Sequence, residues 1–199
     1  IRDGGLVAFP TETVYGLGAD AMQASAAKKI YEAKGRPSDN PLIVHIADVS
    51  ALRNLTDEVP GKAVKLAKAF WPGPLTMIVK KSAAVPYETT GGMDTVAVRM
   101  PNHPIALALI AASGTYIAAP SANTSGRPSP TAAEHVMTDL NEKIPLILDG
   151  GSVGIGIEST IIDLTEETPM ILRPGYITQE MFCLLYTSPS PRDYAASRM

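Results

Sequence analysis

Two consecutive segments decide the fold: Thr95-Val96-Ala97-Val98-Arg99-Met100, and Ile105-Ala106-Leu107-Ala108-Leu109-Ile110-Ala111-Ala112-Ser113-Gly114-Thr115-Tyr116-Ile117-Ala118-Ala119. The first is rich in β-branched residues and reads as a strand. The second is apolar but for Ser113, Gly114 and Thr115, and that interruption makes it helix, turn and strand rather than a membrane span. Strand, helix, strand is the repeating unit of an α/β domain.

The pattern extends outward in both directions. Upstream, Gly5 to Pro10 is a strand leading into the polar loop Thr11-Glu12-Thr13, and Ser25 is placed to cap a helix reaching Ala33. Leu42 to Ile46 is the next strand. Val64, Leu66, Ala67 and Phe70 mark a helix that Pro72-Gly73-Pro74 stops, before a strand from Leu75 to Val79. Downstream, Thr131 and Glu134 spell a capping box for a helix to Leu140. The segments 146–148, 160–164 and 170–172 are strands with no helix between them. Early alternation and late consecutive strands predict one α/β domain with a mixed parallel and antiparallel sheet flanked by helices. A last helix starts near Gln179, but Thr187-Ser188-Pro189-Ser190-Pro191-Arg192-Asp193 cannot build a packed element. The domain is therefore expected to occupy residues 1–183, with 184–199 a disordered linker or a non-native tail.

Composition narrows the function. The 199 residues, 45% hydrophobic and 19% charged, are enough for a real core. A net charge of -3 argues against a protein built chiefly to hold nucleic acid. One cysteine, Cys183, rules out an internal disulfide and fits a reducing compartment. The chain opens on Ile1 rather than Met, which leaves room for residues upstream.

Several chemistries find no motif. The run from Gly150 to Gly156 lacks the Lys-Ser/Thr ending of a P-loop and does not open a helix, so it reads as a strand connection. No Gly-x-Ser-x-Gly elbow occurs, and His45, His103 and His135 lack metal-ligand spacing; His103 falls at a helix start and His135 on a helix surface. What remains is a set of polar loops at strand ends, where open α/β sheets bind ligands. Lys34-Gly35-Arg36-Pro37 is the most informative, because glycine and proline stop the preceding helix and leave Lys34 and Arg36 to project as a point charge and a planar fork suited to polyphosphate. Taken singly, each residue has a plainer role. Thr11 and Thr13 satisfy turn amides, His45 is a core hydrogen-bonder, Arg99 pairs with Asp94, Ser121 and Asn123 are turn formers, and Lys34 and Arg36 favour a helix dipole. Together they form a site.

Pro10-Thr11-Glu12-Thr13-Val14-Tyr15-Gly16-Leu17, Lys34-Gly35-Arg36-Pro37 with Asn40-Pro41-Leu42, Trp71-Pro72-Gly73-Pro74-Leu75-Thr76, Val98-Arg99-Met100-Pro101, Ala119-Pro120-Ser121-Ala122-Asn123 and Glu158-Ser159-Thr160 resemble the YrdC family of threonylcarbamoyl-adenylate synthases. The resemblance runs from Gly4 to Phe182. It implies a curved mixed sheet around a large basic cavity, and a cytoplasmic enzyme that makes threonylcarbamoyl-adenylate and pyrophosphate from ATP, L-threonine and bicarbonate. Partner proteins then pass the group to tRNA. By the same resemblance Thr13, His45, Arg99 and Ser159 bind threonine, while Arg36, Asn40, Thr95, Ser121, Ser129 and Arg173 bind nucleotide. Lys34, Arg36, Ser121 and Asn123 form the catalytic hallmark, and Mg2+ accompanies ATP with no protein ligand set of its own. The alternatives are a tRNA- or double-stranded-RNA-binding module, a carbamoyl-adenylate-forming domain of the hydrogenase-maturation kind, and a nucleotide-binding fragment. Longer relatives add a linker and a second domain.

Overall fold

The computed structural model describes residues 1–187. Strands β1 (Val7–Phe9) and β2 (Gly16–Asp20) pair antiparallel across the Thr11–Tyr15 loop. Then follow α1 (Ala24–Lys34), β3 (Ile43–His45), a 3-10 turn at Val49–Ala51, α2 (Leu52–Leu55), α3 (Gly61–Phe70), β4 (Leu75–Lys80) and α4 (Tyr87–Thr90). The remainder is β5 (Thr95–Arg99), α5 (Pro104–Ser113), β6 (Ile117–Ala118), α6 (Ala133–Leu140), β7 (Thr160–Asp163), β8 (Met170–Arg173) and α7 (Gln179–Thr187). The strands join in one eight-stranded sheet, ordered β1-β2-β6-β3-β5-β4-β7-β8. The pairs β3–β5 and β4–β7 are parallel and the others antiparallel, which is the mixed sheet that the sequence predicts.

Alternation along the strands sorts the two faces. Val44, Val98, Met77 and Ile162 fall in one cross-strand row and are buried in the main core with Ile30 of α1, Leu66 of α3, Val136 of α6 and Phe182 of α7. The opposite face is covered only at one end, where Ala106 and Ile110 of α5 pack on Phe9, Ile117 and Ala119. Beyond α5 the next row on that face runs His45, Arg99, Thr76, Ile161, Arg173 across β3, β5, β4, β7 and β8, with the first three buried and the last two half-buried.

The last member of this row is there because of a bulge. The β7–β8 register shifts between Ile161 and Ile162, so Ile171 pairs with Ile162 while Arg173 pairs with Ile161. Leu172 is the extra residue; in a regular strand Arg173, two residues on from Ile171, would share its core-facing side.

Some local expectations give way. Helix α1 starts at Ala24 with Gln23 as N-cap, so Ser25 lies inside it. The Thr131–Glu134 capping box does not form; the N-cap is Ala132, and the Thr131 amide donates to His135 Nδ1 at 3.3 Å. The expected strand at 146–148 is a single parallel bridge between Ile147 and Ala8. Helix α7 carries through 184–187, past the expected domain end, and the rest of the proposed tail lies outside the described residues. No helix among the described residues is long and apolar enough to cross a membrane.

Candidate active site

This face carries a small cleft lined by Thr13, His45, Arg99, Ser121, Ser159 and Arg173 among others. Arg99, at the end of β5, is only 4% exposed. Its Nη1 donates to Thr13 Oγ1 at 3.0 Å, its Nε to the Gly73 carbonyl at 3.3 Å, and its Nη2 lies 2.7 Å from Glu12 Oε1. That last contact is an ion pair off the hydrogen-bond axis, because both Glu12 oxygens are buried without a hydrogen-bond partner. Burial pushes the Arg99 guanidinium below its ordinary pKa and the Glu12 charge opposes the shift. Arg99 stays charged because guanidinium does not deprotonate in proteins.

Beside it, His45 of β3 pairs in register with Arg99, and its Nδ1 sits 3.1 Å from the Ile43 carbonyl. A carbonyl only accepts, so Nδ1 carries the proton. Burial first, and the Arg99 charge second, push the imidazole down to about pKa 3. It is neutral at physiological pH. Because an unfolded histidine titrates near 6.5, the unfolded chain takes up this proton first as pH falls. The histidine's share of stability is thus complete above about pH 6.5 and lost toward pH 3, at up to about 1.4 kcal/mol per pH unit. Urea unfolding of His45→Gln should show a shallower loss of stability than wild type between pH 6 and 4. Parallel slopes would mean that His45 is solvated.

The far wall is built by β7 and β8. Ser159 Oγ meets Thr76 Oγ1 at 2.8 Å, and Arg173 Nη2 donates to the Ser159 carbonyl at 2.9 Å and to Ser159 Oγ at 3.1 Å. Arg173 Nη1 forms an ion pair with Glu158 Oε2, and Ser129 Oγ donates to Glu158 Oε1 at 2.9 Å. The turn after β8 presses on this wall so closely that a Cβ on Gly175 would lie 2.6 Å from Glu158 O and Thr160 N. Only glycine fits there.

Against this geometry, a protein-family model covering Sua5, YciO and YrdC proteins, described as telomere recombination, matches residues 1–175. The chain belongs to the Sua5/YciO/YrdC family. It is 62% identical over 180 residues to the threonylcarbamoyl-AMP synthase of Pyrococcus abyssi, an alignment that covers 90% of this chain and 53% of that protein. It is 61% identical over 181 residues to the threonylcarbamoyl-AMP synthase of Bacillus subtilis, covering 90% of this chain and 52% of that protein. The crystal structure of P. abyssi Sua5 complexed with L-threonine superposes with a TM-score of 0.92 at 59% identity, over 94% of this chain and 55% of that one. The chain spans about half the length of the curated relatives it matches.

Within this Sua5/YciO/YrdC domain the residues singled out from sequence divide into three groups. Thr13, His45, Arg99, Ser121, Ser159 and Arg173 line the cleft together. Lys34 and Asn123 stand behind it, and Ser129 lines a neighbouring pocket with Arg127 and Asp139 and reaches the cleft through Glu158. Lys34 is not the projecting cation that its motif predicts; it is the last residue of α1, 1% exposed, and its Nζ donates to the Ser121 and Asn123 carbonyls at 2.5 Å each. Burial, then the nearby Arg36 charge, push its ammonium down to about pKa 8. Asn123 Nδ2 in turn holds the Thr124 and Arg127 carbonyls at 3.0 and 2.8 Å. Arg36 and Asn40 pair with each other on the exposed side, Nη2 to Oδ1 at 2.6 Å.

Thr95 is apart from all three groups. It shares a face with Arg99 but lies four residues back along β5, about 13 Å at strand rise, beside a second cleft that holds Lys80, Lys81 and Glu166. The expected basic cavity is also modified, since each cleft arginine already has a carboxylate, Glu12 for Arg99 and Glu158 for Arg173. Sequence reading quoted both glutamates inside motifs and gave neither a role. Thr76, which holds Ser159, was missed in the same way.

Proposed function

We propose that this chain is the catalytic domain of an L-threonylcarbamoyl-adenylate synthase. The observation that carries the reading is the cross-strand row His45–Arg99–Thr76–Ile161–Arg173, which sets a polar corner at one end and a second guanidinium at the other. That the P. abyssi relative was crystallised as a complex with L-threonine supports threonine as the amino-acid substrate.

In this reading the Arg99 fork takes the threonine carboxylate. Thr13 and Ser159 supply hydroxyls, and neutral His45 offers hydrogen bonding without charge. Threonine's amine adds to bicarbonate with loss of water, and the carbamate oxygen attacks the α-phosphate of ATP, releasing pyrophosphate. Arg173, with Arg36 at the margin and Ser121 on the loop after β6, aligns the phosphates; no covalent nucleophile is required. Holding a short-lived carbamate against ATP is a positioning task, in which prepaid entropy is worth roughly 7–11 kcal/mol. Magnesium enters as part of the substrate. Mg2+ would be carried by the triphosphate oxygens. The product would go to partner proteins that modify tRNA in the cytoplasm. An RNA-binding reading leans on a basic concave face, and the charge pairing of both cleft arginines removes that support.

The test is pyrophosphate release from ATP and bicarbonate, with and without L-threonine, with mass detection of the adenylate. Threonine-dependent release with the threonylcarbamoyl-adenylate mass is expected. Release that requires carbamoyl phosphate instead, or ATP binding with no release, would overturn the reading.

A further inference from the structure

We propose that Glu158 is a built-in competitor for the nucleotide phosphates, holding the donors that a triphosphate needs and yielding them when it binds. The inference rests on the reading of the cleft as an ATP site.

Glu158 spends both carboxylate oxygens on residues assigned above to nucleotide: Oε2 on Arg173 and Oε1 on Ser129, the latter at 2.9 Å. Its negative charge also favours the protonated forms of Lys34, Arg36 and Arg173, so it sits near the centre of the cationic cluster. A phosphate drawn to the same donors must take its place.

The two carboxylate–arginine pairs of the cleft are not equivalent in this respect. In the Arg99–Glu12 pair the side chains are 4% and 13% exposed, and neither carboxylate oxygen reaches solvent. In the Arg173–Glu158 pair they are 34% and 38% exposed, and Glu158 itself lines the cleft. Glu158 can therefore turn toward water without stranding a buried charge, whereas Glu12 cannot. Exchange leaves Arg173 with an anionic partner throughout. It also places a released carboxylate beside the phosphates, a like-charge contact that penalises bare polyphosphate and is relieved when a divalent cation accompanies it.

Calorimetric titration with inorganic pyrophosphate, with and without Mg2+, tests this on Glu158→Gln and Glu158→Asp. Glutamine keeps the shape and the Ser129 contact but removes the charge, and should bind metal-free pyrophosphate about five- to tenfold more tightly than wild type. Added Mg2+ should narrow that gap, and Glu158→Asp, which keeps the charge, should stay near wild type. Equal or weaker binding by a folded Glu158→Gln would overturn the inference and make Glu158 a positioning partner of Arg173. If wild type binds neither pyrophosphate nor ATP, the ATP reading fails together with the inference. If wild type binds both and Glu158→Gln shows no gain, the inference alone fails.

Discussion

Arg99→Ala should abolish threonine-dependent adenylate formation and also cost the fold about 3–5 kcal/mol, the penalty for leaving one partner of a buried pair behind. The two losses have different origins. Activity falls because the only guanidinium among the threonine-corner residues is gone, and losing one preorganised electrostatic contact of this kind typically costs about 100- to 1000-fold. Stability falls because Glu12, its oxygens shut from water and without hydrogen bonds, is left as an uncompensated charge. A second substitution separates them. Arg99→Ala with Glu12→Gln should recover much of the unfolding free energy in urea while adenylate formation stays lost. If the single variant unfolds like wild type, the ion pair carries little. If it keeps threonine-dependent turnover, Arg99 is not the clamp.

The second large effect belongs to Lys34. Its ammonium ties the end of α1 to the Ser121 and Asn123 carbonyls, and the Ser125 amide donates back to the Lys34 carbonyl at 2.9 Å. Lys34→Met keeps the stem but removes the donors, which leaves the buried Asn123 carbonyl unsatisfied at about 1–3 kcal/mol and the part-buried Ser121 carbonyl at less. The expected result is a loss of about 2–4 kcal/mol, faster amide exchange through 121–125, and adenylate formation reduced about a hundredfold through misplacement of Ser121. Arg36→Ala is the contrast. Its partners, Asn40 and Pro41, are exposed, so stability should move by no more than about 0.5 kcal/mol while nucleotide affinity falls. If Lys34→Met proved as stable as wild type with slow exchange in the loop, Lys34 would be returned to the role of a free phosphate-binding cation.

The contrast shows what a sequence can reveal. Periodicity and breakers exposed the α/β order, because α5, β5 and β6 are short, strongly patterned and bounded by proline or glycine. Strand β2 escaped because Gly16 and Gly18 dilute its pattern. Yet Gly18 is required there by packing, since a Cβ would meet Ile117 Cγ2 and Phe9 Cε1 at 2.7 Å. The motifs brought most of the cleft residues into view. They could not show that Lys34 is buried, because its partners lie 87 and 89 residues away. Nor could they show that Arg173 needs a bulge to reach the cleft, or that Glu12 and Glu158 neutralise its arginines. Local signals report which side chains are present; pairing across the sheet decides where each one ends up.

The row from His45 to Arg173 also acts as a ruler. Its five members stand on five adjacent strands, so their spacing is set by backbone hydrogen bonding at about 4.8 Å a step, or about 19 Å from end to end along the sheet. On the proposed function, threonine and ATP would be measured against fixed graduations. Mutation of a side chain can blunt a mark on this scale, but only a change of strand register can move one, and a one-residue slip would turn that mark to the far side of the sheet. The spacing of the row is thus written into the same bonds that hold the domain together.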